Sequence, residues 1–200
     1  MALATYSDLV TSIGNWIHRT DLSTQIDDFI DMAESAMNRE LRLSEMENRA
    51  TTTISTEYIA LPSDYLEMRD IRINDTYSYP LEFRSPHQMD LIDVNESSRP
   101  RYYSIVDETI QVYPFVSGYV MEIDYYKKIT ALDSTNTTNV VLTAWPDLYF
   151  NGCLYFANVY VKNMDMAAYH KQEFDRLLIV INNKSKNRKF SGAPLQVRPA

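Results

Sequence analysis

The sequence has few of the residues that build metal, redox and nucleotide sites. It contains one cysteine, Cys153, so an internal disulfide and a cluster of thiolate metal ligands are excluded. Its three histidines (His18, His87 and His170) leave little for a histidine-rich metal site. Only four glycines occur, and no glycine-rich phosphate motif is present. No apolar run reaches the length of about 18 residues that crosses a membrane, and the first residues lack the features of a secretory signal.

What the sequence does contain is typical of a globular protein with an uneven charge distribution. Its 200 residues are 45% hydrophobic and 23% charged, which fits one domain or one domain with an insert. After Asp175 there are six basic residues and no acidic one. The preceding chain carries 13 basic and 27 acidic side chains, a net charge of −14. The acidic part should repel nucleic acid, whereas the basic end suits an acidic partner or phosphate.

Helical periodicity occurs at both ends of the sequence. Thr5 and Asp8 form a predicted capping box, and the apolar face of the first helix includes Trp16. Asp21 or Thr24 is the expected cap of the second helix. Pro146 lies near the start of the next long helix, where its missing N–H is tolerated. The predicted helices are 6–18, 22–43, 86–94, 147–163 and 166–186.

The middle of the sequence alternates with the period of β-strands. Pro80 indicates an edge strand, because proline cannot donate a hydrogen bond to a neighbouring strand. The predicted strands are 66–74, 77–84, 101–106, 110–114 and 119–129, with a strand or hairpin at 51–61. We therefore predict an α+β fold. Its regions are N-terminal helices of a bundle (1–48), an antiparallel β-rich insert (49–142), C-terminal helices of the same bundle (143–186) and an extended basic tail (187–200).

Candidates for catalysis or metal binding are weak. Asp27, Asp31 and Glu34 share one helical face, which suits either a metal or acid–base site or, as the amphipathic pattern favours, a solvated surface. Two pairs, His87 with Asp90 and His170 with Glu173, lack a third ligand nearby. Cys153 lies in an apolar helical run that is typical of a buried, unreactive thiol. We expect no enzyme activity, no cofactor and no metal.

Several side chains are candidates for contacts between subunits. The arginines Arg39, Arg42 and Arg49 alternate with glutamates, which predicts either pairing within the chain or ion pairs across a subunit boundary. Doublets of tyrosine at 102–103 and 125–126 place one ring of each on the outer face of a strand. Tyr103 and Tyr126 are therefore expected as exposed phenols, interface residues or a platform for sugars.

The C-terminal segment combines positive charge with apolar residues. We predict that it docks on a partner, with a frayed terminus, strand addition and capture by a neighbouring subunit as the alternatives. Its candidate binding residues are Lys184, Lys186, Arg188, Lys189, Phe190, Leu195, Val197 and Arg198.

Five phrases of the sequence resemble one known family. They are WIHRTDL (16–22), FIDMAESAMNRELR (29–42), LPSDYLEMR (61–69), YYSI (102–105) and PDLYFNGCLYFANVY (146–160). Together they resemble the head-to-tail adaptor, or connector, proteins of short-tailed bacteriophages, over most of residues 5–185.

This resemblance implies a structural role in the virion, at the junction of head and tail, for a protein made in the host cytoplasm. It implies a ring of about twelve copies that docks on the portal protein through the C-terminal segment. The β-rich insert would face tail nozzle or tail fibre proteins, and genomic DNA would pass through the channel without specific binding. No membrane and no cofactor are involved.

Two other functions are compatible with the residues. The first is a carbohydrate-binding accessory module that uses the tyrosine-rich strands, and the second is a hydrolase that acts on cell wall. The module would bind glycans as a monomer, and the hydrolase would need converging polar groups in a pocket.

Overall fold

The computed structural model describes residues 3–19, 21–92 and 98–190, with the backbone alone for Lys189 and Phe190. The described chain divides into two compact units. The helical unit contains the residues up to Met46 and those from Ile129 onward, and the β-rich unit is Glu47–Lys128. The fold is α+β, as predicted.

The helical unit is built from both ends of the chain, as the sequence pattern predicts. Its helix α5 lies at the centre and packs against α2 and α6, so side chains all round it are buried, including Leu148, Tyr149 and Cys153. The helices are α1 (Tyr6–Trp16), α2 (Ser23–Glu40), α4 (Val140–Ala144), α5 (Pro146–Tyr160) and α6 (Met164–Phe190), while α3 (Pro86–Asp90) belongs to the β-rich unit.

The ends of the helices agree only partly with the predicted caps. Thr5 and Asp8 form the expected capping box of α1. The cap predicted for α2 is wrong, because Leu22 occupies that position without a side-chain hydrogen bond. Asp21 instead accepts a hydrogen bond from Arg19 Nε at 2.7 Å. Helix α4 was not predicted, although Asn139 caps it by accepting hydrogen bonds from the N–H groups of the second and third helical residues.

The β-rich unit contains two four-stranded sheets. Their orders are β1-β8-β3-β4 and β2-β7-β6-β5. An antiparallel insert was predicted, and all strand pairs are antiparallel except β5 with β6, which is parallel. The strands are β1 (Glu47–Thr53), β2 (Tyr58–Ala60), β3 (Tyr65–Asn74), β4 (Tyr79–Pro80), β5 (Glu82–Phe83), β6 (Tyr102–Val106), β7 (Thr109–Tyr113) and β8 (Val120–Lys127).

Two predicted strand segments are divided between the sheets. The segment 51–61 is not a hairpin, because β1 pairs with β8 whereas β2 pairs with β7. The segment 77–84 divides at Leu81, whose N–H donates to Ile71 O at 3.0 Å and whose side chain enters the shared core. Pro80 lies in an edge strand, as predicted.

The β-rich unit is shorter than the predicted insert, which was expected to reach residue 142. Residues from Ile129 onward belong to the helical unit instead. Two backbone N–H groups hold them there, since Ile129 donates to Asn38 Oδ1 and Leu132 donates to Glu34 Oε1, both at 2.9 Å. Both acceptors are polar side chains of α2, a pairing that strand periodicity does not encode.

Candidate functional site

The last turns of α6 form a basic surface, which we call the basic end. Lys184, Lys186 and Arg188 are all exposed there. They lie within about 6 Å of rise along the helix axis. Arg188 pairs with Glu45, while no ion pair engages Lys184 or Lys186 within the described part of the chain. Cations at a helix C-terminus also interact favourably with the helix dipole.

Side-chain hydrogen bonds attach the basic end to the segment that follows α2. The amide of Asn182 accepts the Arg42 N–H at 3.0 Å and donates to Glu40 O at 2.9 Å. Three residues later, Ser185 Oγ accepts the Ser44 N–H at 2.9 Å. The lysines are therefore presented on a helix whose one face is attached to the segment after α2.

This arrangement corrects the start of the predicted extended tail. The tail was expected to begin at residue 187, but α6 continues to Phe190. Helix-breaking residues begin only at Gly192 and Pro194, and the contacts with the segment after α2 support the last turns. Lys189 and Phe190 are helical in backbone, and Leu195, Val197 and Arg198 lie outside the described residues.

Helices α2, α5 and α6 enclose a groove of about 530 Å³. Its floor is aromatic, since the rings of Tyr155 and Phe156 lie 4.7 Å apart between centroids and Phe174 lines the same space. We call it the aromatic groove. The complete lining is Ala36, Arg39, Glu40, Tyr155, Phe156, Lys171, Phe174, Asp175, Leu178 and Ile179.

The charged rim of this groove is only partly neutralised within the chain. Lys171 Nζ pairs with Asp175 at 2.5 Å. Arg39, which was predicted to contact another subunit, is exposed and donates to Ser35 Oγ at 3.1 Å. No ion pair engages Arg39 within the described residues, so its charge is available to a partner.

A projecting aromatic side chain lies elsewhere on the helical unit. Trp16, at the end of α1, is 59% exposed. Its ring contacts Phe150 edge-on at 5.3 Å and His170 at 6.5 Å. The sequence pattern placed Trp16 on the buried face of α1, but α1 ends at this residue, so the ring covers the outside of α5 and α6. Tyr160, Met164 and Tyr169 are also exposed on the helical unit.

Arg42 and Arg49 make contacts within their own chain. Arg42 Nη1 donates to Asn38 O at 3.0 Å and to Leu41 O at 2.6 Å, which satisfies carbonyls at the end of α2. Arg49 binds the Asp124 carboxylate through Nε at 2.7 Å and Nη2 at 3.2 Å. The partner of Arg49 is a residue on the neighbouring strand rather than one along a helix.

Glu122 is the centre of the charged face of the first sheet. It pairs with Arg72, accepts from Asn74 Nδ2 at 2.7 Å and lies 3.2 Å from Arg49 Nε. The hydrogen bond from Arg72 is the main reason that the pKa of Glu122 is lowered. These charges satisfy one another, so this face presents a structured network rather than unpaired charge.

The tyrosine doublets do not present a pair of open rings. Tyr126 was expected on the outer face, but it is 8% exposed, with the Arg69 guanidinium carbon 5.6 Å from its ring centroid. Tyr103 is half-buried, lies edge-on to Phe83 at 5.6 Å, and has its pKa raised by burial. This packing argues against a stacking platform for sugars at these two positions.

A buried polar network lies inside the helical unit, and no pattern in the sequence predicted it. Glu34 is 5% exposed and accepts hydrogen bonds from Leu132 N–H and Tyr149 Oη–H, both at 2.9 Å. Asn139 Nδ2 donates to the Tyr149 oxygen at 2.5 Å. Burial raises the pKa of Glu34 to about 7, and Asp31 and Asp133 add to that increase. The network connects α2 to α5 and to the chain before α4.

This network changes the interpretation of the predicted acidic face. Glu34 points inward, while Asp27 on the same helix is exposed and accepts a hydrogen bond from the Tyr6 hydroxyl. The hydrogen bond to Asp27 is the main reason that the pKa of Tyr6 is raised to about 12. The three carboxylates therefore do not converge.

The other predicted reactive groups are also separate. His170 is buried, its Nδ1 lies 3.0 Å from Asn151 Oδ1, and burial lowers its pKa. Glu173 binds Arg176 instead of joining His170. Cys153 is buried, which raises the pKa of its thiol. Among the described residues, no three histidine, cysteine or carboxylate side chains lie close enough to hold a metal ion.

No local signal in the sequence identifies the surfaces that the helical unit exposes. The aromatic groove combines residues from three helices that are distant in sequence, and the exposure of Trp16 depends on where α1 ends.

Within the described ranges, no helix has the length and apolar character needed to span a bilayer. No curated protein matches the chain. A family model, that of the SU10 adaptor protein family, matches residues 4–198.

Proposed function

Since the chain belongs to the SU10 adaptor protein family, a family of phage adaptors, we propose that it forms a ring between the portal and the tail of the virion. In this role it is a structural protein at the head–tail junction and catalyses no reaction. It docks on the portal protein on one side and receives tail proteins on the other. The observation that carries the proposal is the family match over nearly the whole chain.

We assign portal docking to the basic end and to the residues that follow it. Lys184 and Lys186 are exposed on a helix that the bundle holds in place, so their backbone loses little conformational freedom when a partner binds. Lys189, Phe190, Leu195, Val197 and Arg198 continue the same positive and apolar sequence. An acidic surface on the portal would complement this charge.

The charge of the remaining chain supports the proposed channel function. Residues before position 176 carry a net charge of −14, and DNA carries one negative charge per phosphate. Repulsion between a channel wall of this kind and DNA lets the genome pass without being retained. We assign contact with tail nozzle or fibre proteins to the β-rich unit, which folds around a core of its own.

Binding to purified portal rings tests the docking assignment. In the variant Lys184→Glu/Lys186→Glu we expect affinity for portal rings to fall about tenfold or more, with a reduced dependence on salt. Deletion of residues 191–200 should lower it further. Lys162→Glu is the matched control, because Lys162 is exposed on the same unit between α5 and α6. Equal portal binding by all of these variants contradicts the assignment.

A further inference from the structure

The helical unit carries a projecting aromatic residue and an aromatic groove as separate features of one folded body. This inference rests on the proposed ring. We propose that Trp16 of each subunit inserts into the aromatic groove of the next subunit, so that one repeated contact closes the ring. A ring needs two different complementary surfaces on each copy, because an interface that pairs one surface with itself stops at a dimer.

The two surfaces lie on different faces of α5 and α6. On α6, Trp16 contacts His170, whereas the groove extends from Phe174, one turn later, round to Ile179. Ile179 is nine residues, or two and a half turns, after His170, so the outer wall of the groove faces away from Trp16. On α5, Phe150 contacts Trp16, while Tyr155 and Phe156 face the groove. A subunit therefore presents its own Trp16 on one face and, on another, the groove that binds Trp16 of its neighbour.

The groove suits an indole in size and chemistry. The groove encloses about 530 Å³, and insertion of a tryptophan side chain removes about 150–250 Å² of surface from water. Tyr155 and Phe156 offer ring faces and edges for stacking, and Ile179, which is 63% exposed, would lose its contact with water. Glu40 at the rim supplies an oxygen that accepts the indole N–H.

Charges around the two surfaces are complementary. Asp147 is exposed and precedes Phe150 by one helical turn, so it lies on the Trp16 side of α5. Arg39 lies at the rim of the groove and makes no ion pair within the described residues. Across the proposed interface, Asp147 of one subunit meets Arg39 of the next. This contact gives Arg39 a partner of opposite charge outside its own chain.

Cross-linking of introduced cysteines tests the geometry and leaves Trp16 in place. Asn15 is exposed beside Trp16, and Ile179 lies on the groove wall. The double variant Asn15→Cys/Ile179→Cys is assembled on portal rings and treated with a short bis-maleimide. The native Cys153 is buried and does not interfere. The control pair is Lys162→Cys/Ile179→Cys, because Lys162 is exposed on the helical unit itself, in the turn between α5 and α6.

We expect the Asn15/Ile179 pair to give a denatured ladder at successive multiples of 23.3 kDa, whereas each single variant and the control pair give no ladder. Trp16→Ala should raise the concentration needed for assembly at least about tenfold, with Tyr77→Ala unchanged. Native mass spectrometry reads ring formation separately. Intact rings without a ladder overturn the Trp16–groove contact but not the ring, and a product that stops at dimers indicates a symmetric contact instead. Wild-type protein that forms no ring with portal overturns the proposed function as well.

Discussion

Replacement of the buried carboxyl of Glu34 by an amide should remove one component of the pH dependence of stability. Glu34→Gln keeps the shape and an oxygen that accepts from Leu132 N–H and Tyr149 Oη–H, but it cannot ionise. Burial raises the pKa of the folded carboxyl from 4.5 to about 7. Because the pKa is raised on folding, the folded state favours the protonated carboxyl of Glu34. The contribution of this group to stability is therefore complete below about pH 4.5 and is lost as the pH rises through 7.

The expected magnitude follows from the size of this pKa change. A shift from 4.5 to about 7 corresponds to about 3 kcal/mol, and partial screening by solvent lowers it to about 2 kcal/mol. For a chain of this size, that equals about 4–8 °C in melting temperature. The wild type should therefore lose about 2 kcal/mol relative to Glu34→Gln between pH 4.5 and pH 8.

Thermal unfolding followed by circular dichroism at a helical wavelength measures this difference in the helical unit. Contributions of all other ionisable groups cancel when wild type and variant are compared at each pH. Asp28→Asn is the matched control on the same helix, because the exposed Asp28 side chain stays hydrated in the fold. Its curve should run parallel to that of the wild type. A parallel curve for Glu34→Gln as well would refute the view that Glu34 is buried at an energetic cost.

Two further substitutions test the packing and the charge network. Gly152→Ala should destabilise the helical unit by about 1–3 kcal/mol in urea unfolding, because an added Cβ would lie 2.9 Å from Phe174 Cε2 and 3.2 Å from Ala33 Cβ; unchanged stability would show that the helices separate readily. Arg72→Ala should lower the stability of the β-rich unit at neutral pH, with the loss shrinking as acid protonates Glu122, whose pKa is lowered by Arg72. The control is Arg84→Ala, which breaks the exposed pair of Arg84 with Glu82. If the stability lost in Arg72→Ala stayed constant with pH, the ion pair of Arg72 with Glu122 would not be the cause of the loss.

Residue patterns over short distances predicted much of the secondary structure. The capping box at Thr5 and Asp8, the start of α3 after Ser85 and the position of Pro80 in an edge strand were all confirmed. Each depends on interactions between residues a few positions apart, which the order of side chains specifies directly. The division into helical ends and a β-rich middle follows from hydrophobic periodicity for the same reason.

Patterns of this kind failed where burial depends on distant partners. Glu34 belongs by periodicity to the polar face of α2, yet it is buried because Leu132 and Tyr149 supply hydrogen-bond donors. Tyr126 was expected to face outward, yet it packs beneath Arg69 from the adjacent strand. In both cases the partners lie far away in sequence and become neighbours only when the chain folds.

The sequence alone determined the helical and β-rich regions, the acidic body and the basic C-terminal segment, because periodicity and charge are properties of the residue order. The tertiary structure decided that α6 continues to Phe190, that Trp16 projects from the helical unit and that three helices enclose an aromatic groove. Such surfaces depend on where each helix ends and on which helix packs beside it. Those outcomes are set by the free energy of the whole unit rather than by any one segment.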